Sequence, residues 1–333
     1  MDHARHNSRF AFYETTGPAG DVIRIETRAM PLPGPGEVLV EIQRSGINPS
    51  DTKRRAGWAS YKPRSSRMVL HADGAGIIIA AGDGVPSQRL GQRVWLWNAE
   101  TEEQGTAADH CVVSAANAVP LPDGASFDVG ACLGVPACTA HRTVFADGPV
   151  AGLSVLVQGG AGAVGAFAVQ FARHAGAHVI ATGSTPEKRA QALAMGAHAA
   201  LDYRGLDAAA AILAANGGRL LDRIVEVDLG ENLALDIAVA APNATIASYS
   251  STRVRAFNFD YYALAPKGLN IRIVQGYCLP DDARAAAIAD ITAALEEGWL
   301  RHSIGAVFPL DRIIEAHEAA ESGNAGKVLL ALR

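Results

Sequence analysis

Hydrophobic positions fall into two rhythms along this chain. From about Phe10 to Val119 they come in short runs rich in Val and Ile: "VLVEIQRSGIN" (Val38 to Asn48), "GAGIIIAAGDGV" (Gly74 to Val85), "QRVWLW" (Gln92 to Trp97) and "TAADHCVVS" (Thr106 to Ser114). Gly/Pro turns such as "PLPGPGE" and "PLPDG" separate them. Closely spaced strands without long intervening helices predict a partly open β-barrel. After Asp128 the rhythm changes. "GACLGVPACTAHRTVF" reads as a helix, and then strands and helices alternate: SVLVQG, a helix through Ala175, AHVIATG, a helix through Ala194, and strands near Ala199 and Ile224, in "ATIASYS" and in "NIRIVQGY". That alternation predicts a parallel sheet with crossover helices, so the class is α/β. "DDARAAAIADITAALEEGWL" is an amphipathic helix with Asp281 or Asp282 as its cap, and a turn, a helix, a Gly-rich stop and a last strand close the chain.

Composition narrows the classes. A chain of 333 residues, 49% hydrophobic and 19% charged, is long enough for two domains with an ordinary globular balance. The 29 Lys and Arg against 34 Asp and Glu leave a net charge of −5, which argues against a nucleic-acid surface. No apolar run reaches membrane-spanning length. The polar start "MDHARHNSRF" lacks a signal-peptide core, which predicts a cytoplasmic protein whose first residues fray. Cys111, Cys132, Cys138 and Cys278 are scattered with no CxxC pair, so structural zinc is not expected; they read as thiols of a reducing compartment.

The chemistry starts at "VLVQGGAGAVG". Gly160, Gly162 and Gly165 form GxGxxG between a predicted strand and a predicted helix. Missing side chains let backbone amides approach a pyrophosphate, and the helix N-terminus adds partial positive charge. The bland alternative is a tight turn with no ligand. An NAD site places a carboxylate at the end of the second strand, about 20 residues on, for the ribose hydroxyls. Here that strand ends "ATGSTPEKR", with Gly183 at the position, followed by Ser184, Thr185, Lys188 and Arg189. A small residue, hydroxyls and a cation accept a 2′-phosphate that a carboxylate would repel, so NADPH is the expected cofactor. Lys188 and Arg189 taken alone could equally be solvated helix charges.

The chain resembles the medium-chain dehydrogenase/reductase superfamily, most closely its zinc-independent quinone oxidoreductase branch, the zeta-crystallin-like reductases. The order of "PGPGEVLVEIQRSGINPSDTKRRAG", "HADGAG", "GTAADHCVV", "PLPDG", "GACLGVPACTAHRTVF", "GGAGAVG" and "GKVLLAL" carries the resemblance over nearly the whole length. It implies a GroES-like partly open β-barrel domain plus a Rossmann doubly wound domain: 1–128 in the first, 129–280 in the second, 281–333 returning to the first. It also implies a homodimer or homotetramer through the Rossmann sheets. Zinc-dependent relatives carry a Cys where this chain has Asn48 and a His where it has Ala72; His71 is one residue early, and the four-cysteine lobe is absent. No metal is therefore expected. Without a Lewis acid an alcohol is hard to oxidise, which leaves reduction of an electron-poor acceptor, a quinone or an activated alkene.

Carried over residue by residue, the resemblance puts Asn48 near nicotinamide and acceptor as a hydrogen-bond donor, against the alternative of a turn residue before Pro49. Asp51 matches a family position near the cleft or else caps the "TKRRAG" helix. Trp58 and Tyr61 could wall a flat acceptor or pack locally. Thr139 matches a Thr close to the nicotinamide; Ala163 and Val164 belong to the pyrophosphate turn with the three glycines. Ser184 and Lys188 match 2′-phosphate contacts, and Thr185 adds a second hydroxyl there. Tyr203 matches a Tyr beside the adenosine phosphate, Tyr249 and Gln275 fall in segments lining the nicotinamide, and Asn324 matches an Asn near the cofactor. The expectation is an NADPH-dependent quinone oxidoreductase. Its alternatives are an NADPH-dependent reductase of activated C=C bonds (enals, enones or enoyl thioesters) and an NADPH-binding structural or regulatory protein without turnover.

Overall fold

The structure, a computed structural model, describes residues 7–63, 66–101, 103–323 and 326–333. The chain divides into two compact units, 1–135 with 292–333, and 136–291. Among the described residues no helix is long and apolar enough to cross a membrane.

The first unit is the GroES-like barrel. A seven-stranded sheet runs in the order Ile304–Pro309, Lys327–Ala331, Glu37–Ile47, Asp73–Ala81, Arg93–Leu96, Ala118–Pro120, with His110–Ser114 also paired to Glu37–Ile47. The eleven-residue strand Glu37–Ile47 organises it. One edge pairs with Asp73–Ala81; the other takes His110–Ser114 along its first half and Lys327–Ala331 along its second. Val38, Val40, Ile42 and Ile47 join Ile78, Val94, Leu96, Val328 and Leu330 in the barrel core. A second sheet, Arg24–Ala29, Asn7–Tyr13, Met68–Val69, completes the unit. Part of the start expected to fray, residues 1–6, lies outside the described residues. From Asn7 the polar stretch is strand, not tail: Ser8 is buried, and the Arg9 amide and guanidinium both bind Asp109.

The second unit is a Rossmann sheet of six parallel strands: Ala199–Leu201, His178–Thr182, Ser154–Val157, Leu221–Glu226, Ala240–Ser248, Asn270–Ile273. Ser154–Val157 lies mid-sheet and is wholly buried, as its unbroken apolar run requires when helices cover both faces. The order reverses at this strand, and in open α/β sheets ligands bind at the carboxyl ends beside such a switch. Helices Ala163–His174, Pro186–Ala194, Ala208–Ala215 and Leu229–Val239 make the crossovers.

The helix Phe127–Phe145 is not continuous. Gly134 leaves helical geometry (φ 9°, ψ −117°), two residues before Pro136, whose ring nitrogen has no hydrogen to donate. The later helix runs Asp281–Glu296, so Asp281 and Asp282 sit inside its first turn and not at the cap, where they still complement the helix dipole.

Candidate cofactor and acceptor sites

Every expected nucleotide contact of the second unit except Thr139 follows directly on the carboxyl end of a parallel strand. The turn after Val157 is held by local bonds: the Gly159 amide donates to Thr182 Oγ1 (3.0 Å), the Gly160 amide to the Thr182 carbonyl (3.0 Å), and Thr182 Oγ1 donates to Gln158 Oε1 (2.7 Å). Gly159, outside the GxGxxG count, has φ +68°, which only glycine adopts without strain. A Cβ on Gly165 would run into the Gly159 carbonyl oxygen, and one on Gly160 would meet Ala181 Cβ at 2.7 Å. Gly162 is the N-cap of helix Ala163–His174, so the Ala163, Val164 and Gly165 amides lie in its first turn with no intrahelical acceptor. This bare cradle of amides fits a pyrophosphate.

At the end of the second strand the structure adds two residues that sequence reasoning missed. Asp202, from the end of the neighbouring strand, does place an acid there. It is held by Arg189 (3.2 Å) and Arg204 (2.7 Å), and Arg204 also donates to the Ser184 carbonyl. Those bonds, Arg204 first, keep its carboxyl well below the ordinary value. Lys188 is half-buried, and its ammonium makes no hydrogen bond or ion pair among the described residues. Three cations thus stand against Asp202 and Glu187, an excess that fits a 2′-phosphate. Thr185 is the N-cap of helix Pro186–Ala194; its hydroxyl accepts from the Lys188 amide (3.3 Å) and bonds the Glu187 carboxylate. Its hydroxyl is used by the helix. Tyr203 is half-buried after strand Ala199–Leu201. Tyr249 follows Ala240–Ser248, its phenol raised by burial and then by Glu226. Gln275 is exposed and its carbonyl accepts from the Cys278 amide; Thr139 is buried on its helix; Asn324 lies outside the described residues.

In the first unit the elements meet at Asn48. It is the N-cap of helix Pro49–Arg55, and its amide N–H donates to Asp51 Oδ2 (2.7 Å). Asp51 is therefore the third helical residue closing back on the cap, and not itself the cap. Arg54 holds Asp51 Oδ1 (2.9 Å) and also pairs with Glu100. The Asn48 side chain, 3% exposed, donates through Nδ2 to Asp73 Oδ2 (2.6 Å) and accepts at Oδ1 from Lys327 Nζ (2.5 Å). Lys327 also reaches Asp73 Oδ2 (3.2 Å), and Asp73 Oδ1 accepts from the Val135 amide (2.8 Å) just past the helix break. Trp58 is 40% exposed with the Lys53 ammonium 5.4 Å from its ring centre. Tyr61 packs against the barrel core and faces Tyr13, whose phenol burial raises. The structure does not give these two aromatics one environment.

His71 is engaged inside the barrel. Nε2 lies 3.0 Å from His317 Nε2 and Nδ1 2.9 Å from Ser45 Oγ, and burial lowers its pKa to about 3, so the ring is neutral. Among the described residues no three His, Cys, Asp or Glu side chains converge as a metal-ligand set would.

The family Alcohol dehydrogenase GroES-like domain matches residues 34–123, and the family Zinc-binding dehydrogenase matches residues 163–293. A human quinone oxidoreductase is 31% identical over 327 residues, 96% of each chain. The chain belongs to the medium-chain dehydrogenase/reductase superfamily, in its quinone oxidoreductase branch. A mycobacterial structure complexed with NADPH superposes with TM-score 0.84 at 27% identity, covering 97% of this chain and 99% of that one. A trans-enoyl reductase of Aspergillus flavipes is 31% identical over 211 residues, 59% of this chain and 60% of its own. Within this superfamily the chain carries an amide at 48 and a methyl at 72, neither of which ligates zinc as thiolate and imidazole do. Sequence reasoning missed Lys327 and Asp73. "GKVLLAL" reads only as a final strand, and nothing local says that its lysine comes to rest against Asn48.

Proposed function

We propose that this protein is an NADPH-dependent quinone oxidoreductase that transfers hydride directly, without a metal, to a quinone-type acceptor. NADPH, when bound, supplies the hydride. The chain must hold it, align the acceptor and keep water out. The amides of Ala163, Val164 and Gly165, approached past Gly160 and Gly162, take the pyrophosphate. Ser184, Lys188 and, beyond the residues expected from sequence, Arg204 take the 2′-phosphate, with Tyr203 beside them. Thr139, Tyr249 and Gln275 serve the nicotinamide end, and Asn324 belongs to the same set. Asn48 donates a hydrogen bond to an acceptor carbonyl, Asp51 steadies its backbone, and Trp58 offers the acceptor an exposed aromatic face, while Tyr61 packs with the barrel core.

The observation that carries this reading is the cationic excess of Lys188, Arg189 and Arg204 at the end of the strand beside the bare amide turn. Lys188→Glu is expected to weaken NADPH by roughly tenfold or more while sparing NADH, because it sets a carboxylate against the 2′-phosphate. Fluorescence titration with both nucleotides reads the difference, and unchanged discrimination removes the assignment. NADPH consumption with a panel of 1,4-quinones, enals and enoyl thioesters tests the acceptor. Turnover of thioesters alone would replace this reading by C=C reduction, which the match to the Aspergillus reductase favours as the second choice.

Assembly through the Rossmann sheet belongs to the same proposal. The strand Asn270–Ile273 is last in its sheet, and Ile273, Phe259, Tyr261 and Tyr262 are exposed there and in the preceding segment. A homodimer or homotetramer covers them; light scattering that finds a monomer would contradict it. Cys111, Cys132, Cys138 and Cys278 form no disulfide, which suits a reducing, cytoplasmic compartment. A disulfide among them in protein isolated under non-reducing conditions would count against that placement.

A further inference from the structure

Lys327 and Asn48 are 279 positions apart, and the barrel's register brings them together: Val328 pairs with Ile47 and Leu329 with Gly46 across the antiparallel ladder. The lysine stem passes over Gly46, where a Cβ would meet Lys327 Cε at 2.8 Å and also strike the Ala131 carbonyl oxygen. The ammonium is 4% exposed at the side chain and Asp73 0%. An ammonium donates and never accepts, so the Asn48 atom facing it is the carbonyl oxygen, and the amide cannot be turned round. Nδ2 then commits one hydrogen to Asp73 and keeps a second that the network does not use.

We propose that Lys327 is a positioning residue: its buried ammonium fixes which end of the Asn48 carboxamide is presented, so that an N–H and not the carbonyl is offered to the acceptor's carbonyl oxygen. The inference rests on the reading of Asn48 given above. Asp73 closes the arrangement from the other side. Its Oδ2 receives both Asn48 and Lys327, its Oδ1 the Val135 amide, and the absent side chain of Gly134 leaves room for it. Lysine and aspartate cancel in charge, and the hydrogens the network leaves over are the second on Asn48 Nδ2 and the third on the Lys327 ammonium.

Four variants test this: Asn48→Ala, Asn48→Asp, Lys327→Met and the double variant Lys327→Met/Asp73→Asn. Thermal midpoint, NADPH dissociation constant, and kcat and KM with 1,4-naphthoquinone are measured for each. Lys327→Met leaves a buried carboxylate without its cation and is expected to lose both thermal stability and turnover. The double variant restores neutrality, but the carboxamide it introduces in place of the Asp73 carboxylate donates toward Asn48 and turns the Asn48 side chain round. Its midpoint and NADPH affinity are expected to return to near wild type while kcat stays at least about tenfold down. Recovery of kcat together with the midpoint overturns the proposal and leaves Lys327 a structural ion. Asn48→Asp keeps the acceptor for Lys327, removes both amide hydrogens and sets a second carboxylate against Asp73, so it tests the donated N–H on which the positioning role rests. Turnover as low as that of Asn48→Ala is expected, and turnover near wild type overturns the proposal. If Asn48→Ala itself turns over normally, the reading of Asn48 has failed and the positioning role falls with it.

Discussion

Each unit buries a carboxylate beside its candidate site, and the two solve the cost of that charge differently. In the barrel, Asp73 is balanced by a cation: Lys327 and Asn48 hold one oxygen and the Val135 amide the other. In the Rossmann unit, Asp236 meets no cation among the described residues. Its Oδ1 accepts from Gln158 (3.0 Å), whose own carbonyl accepts from Thr182, and Thr182 in turn receives the amide of the nucleotide turn. Its other oxygen and Oε2 of Glu226 are buried without a donor, and the two carboxyls interact with each other. Two fully buried acids face to face cannot both ionise without a large penalty, so the pair keeps a proton. Burial raises Asp236 well above the ordinary carboxyl value, with the Glu226 charge acting the same way; Glu226 is raised too, by burial, against the Asp228 and Asn232 donors. Burial raises Asp73 as well, but there Lys327, Asn48 and the Val135 amide oppose it, whereas the acid pair has no such cation among the described residues and ties the fold to pH more strongly.

Neutralising each acid without changing its shape separates the two. Asp73→Asn strands the Lys327 ammonium in the barrel and is expected to cost about 3–5 kcal/mol, the usual penalty for removing one partner of a buried ion pair. Asp236→Asn replaces an acid that holds its proton by an amide that can still accept from Gln158 and donate to Glu226, so its stability at neutral pH is expected to equal or exceed wild type. Denaturant unfolding of both variants at pH 7 measures this. Equal losses would erase the distinction.

The pH dependence sharpens it. A carboxyl whose folded pKa is raised binds its proton more tightly in the native than in the unfolded state. Its contribution is complete below the ordinary carboxyl pKa and is lost as pH climbs toward the raised value. Wild type is therefore expected to lose stability steadily above the ordinary carboxyl range, by at most about 1.4 kcal/mol per pH unit for one proton. Asp236→Asn flattens that slope, as midpoints taken from pH 5 to 9 would show; a slope that survives assigns the dependence elsewhere. The smallest change is Asn232→Ala. It removes a neutral donor (3.0 Å) to Glu226 Oε1 and raises that carboxyl further, moving the decline to higher pH by an effect of about 1 kcal/mol.

Legibility followed distance along the chain. The glycine turn was readable as a strand-to-helix turn because strand, glycines and helix are consecutive, and a parallel sheet sends each strand's end to the same side. The places of Ser184, Tyr203, Tyr249 and Gln275 just after strands needed only the strands themselves, and their contacts with the nucleotide stay part of the proposal. Arg204 was within reach of the same logic, since it stands next to Tyr203 after the neighbouring strand. Asp51 was ambiguous because an acid near a helix start can be the cap or the residue closing back on it, and only the Asn48 amide bond decides. Trp58 and Tyr61 had no register to read. Their burial is set by the barrel core, which periodicity does not locate for a loop.

Local order in the chain specified two rhythms, short Val/Ile-rich runs cut by turns in the barrel and strand–helix alternation in the Rossmann unit, together with a glycine-rich strand-to-helix turn and a second strand with no acid at its own end. All of these depend on neighbours within about twenty residues. Which charge meets which was settled in three dimensions alone. Asp202 met Arg189 from the preceding helix, Asp236 met another acid, and Lys327 met Asn48. The last comes from strand register, where a shift of one residue would turn the lysine to the opposite face.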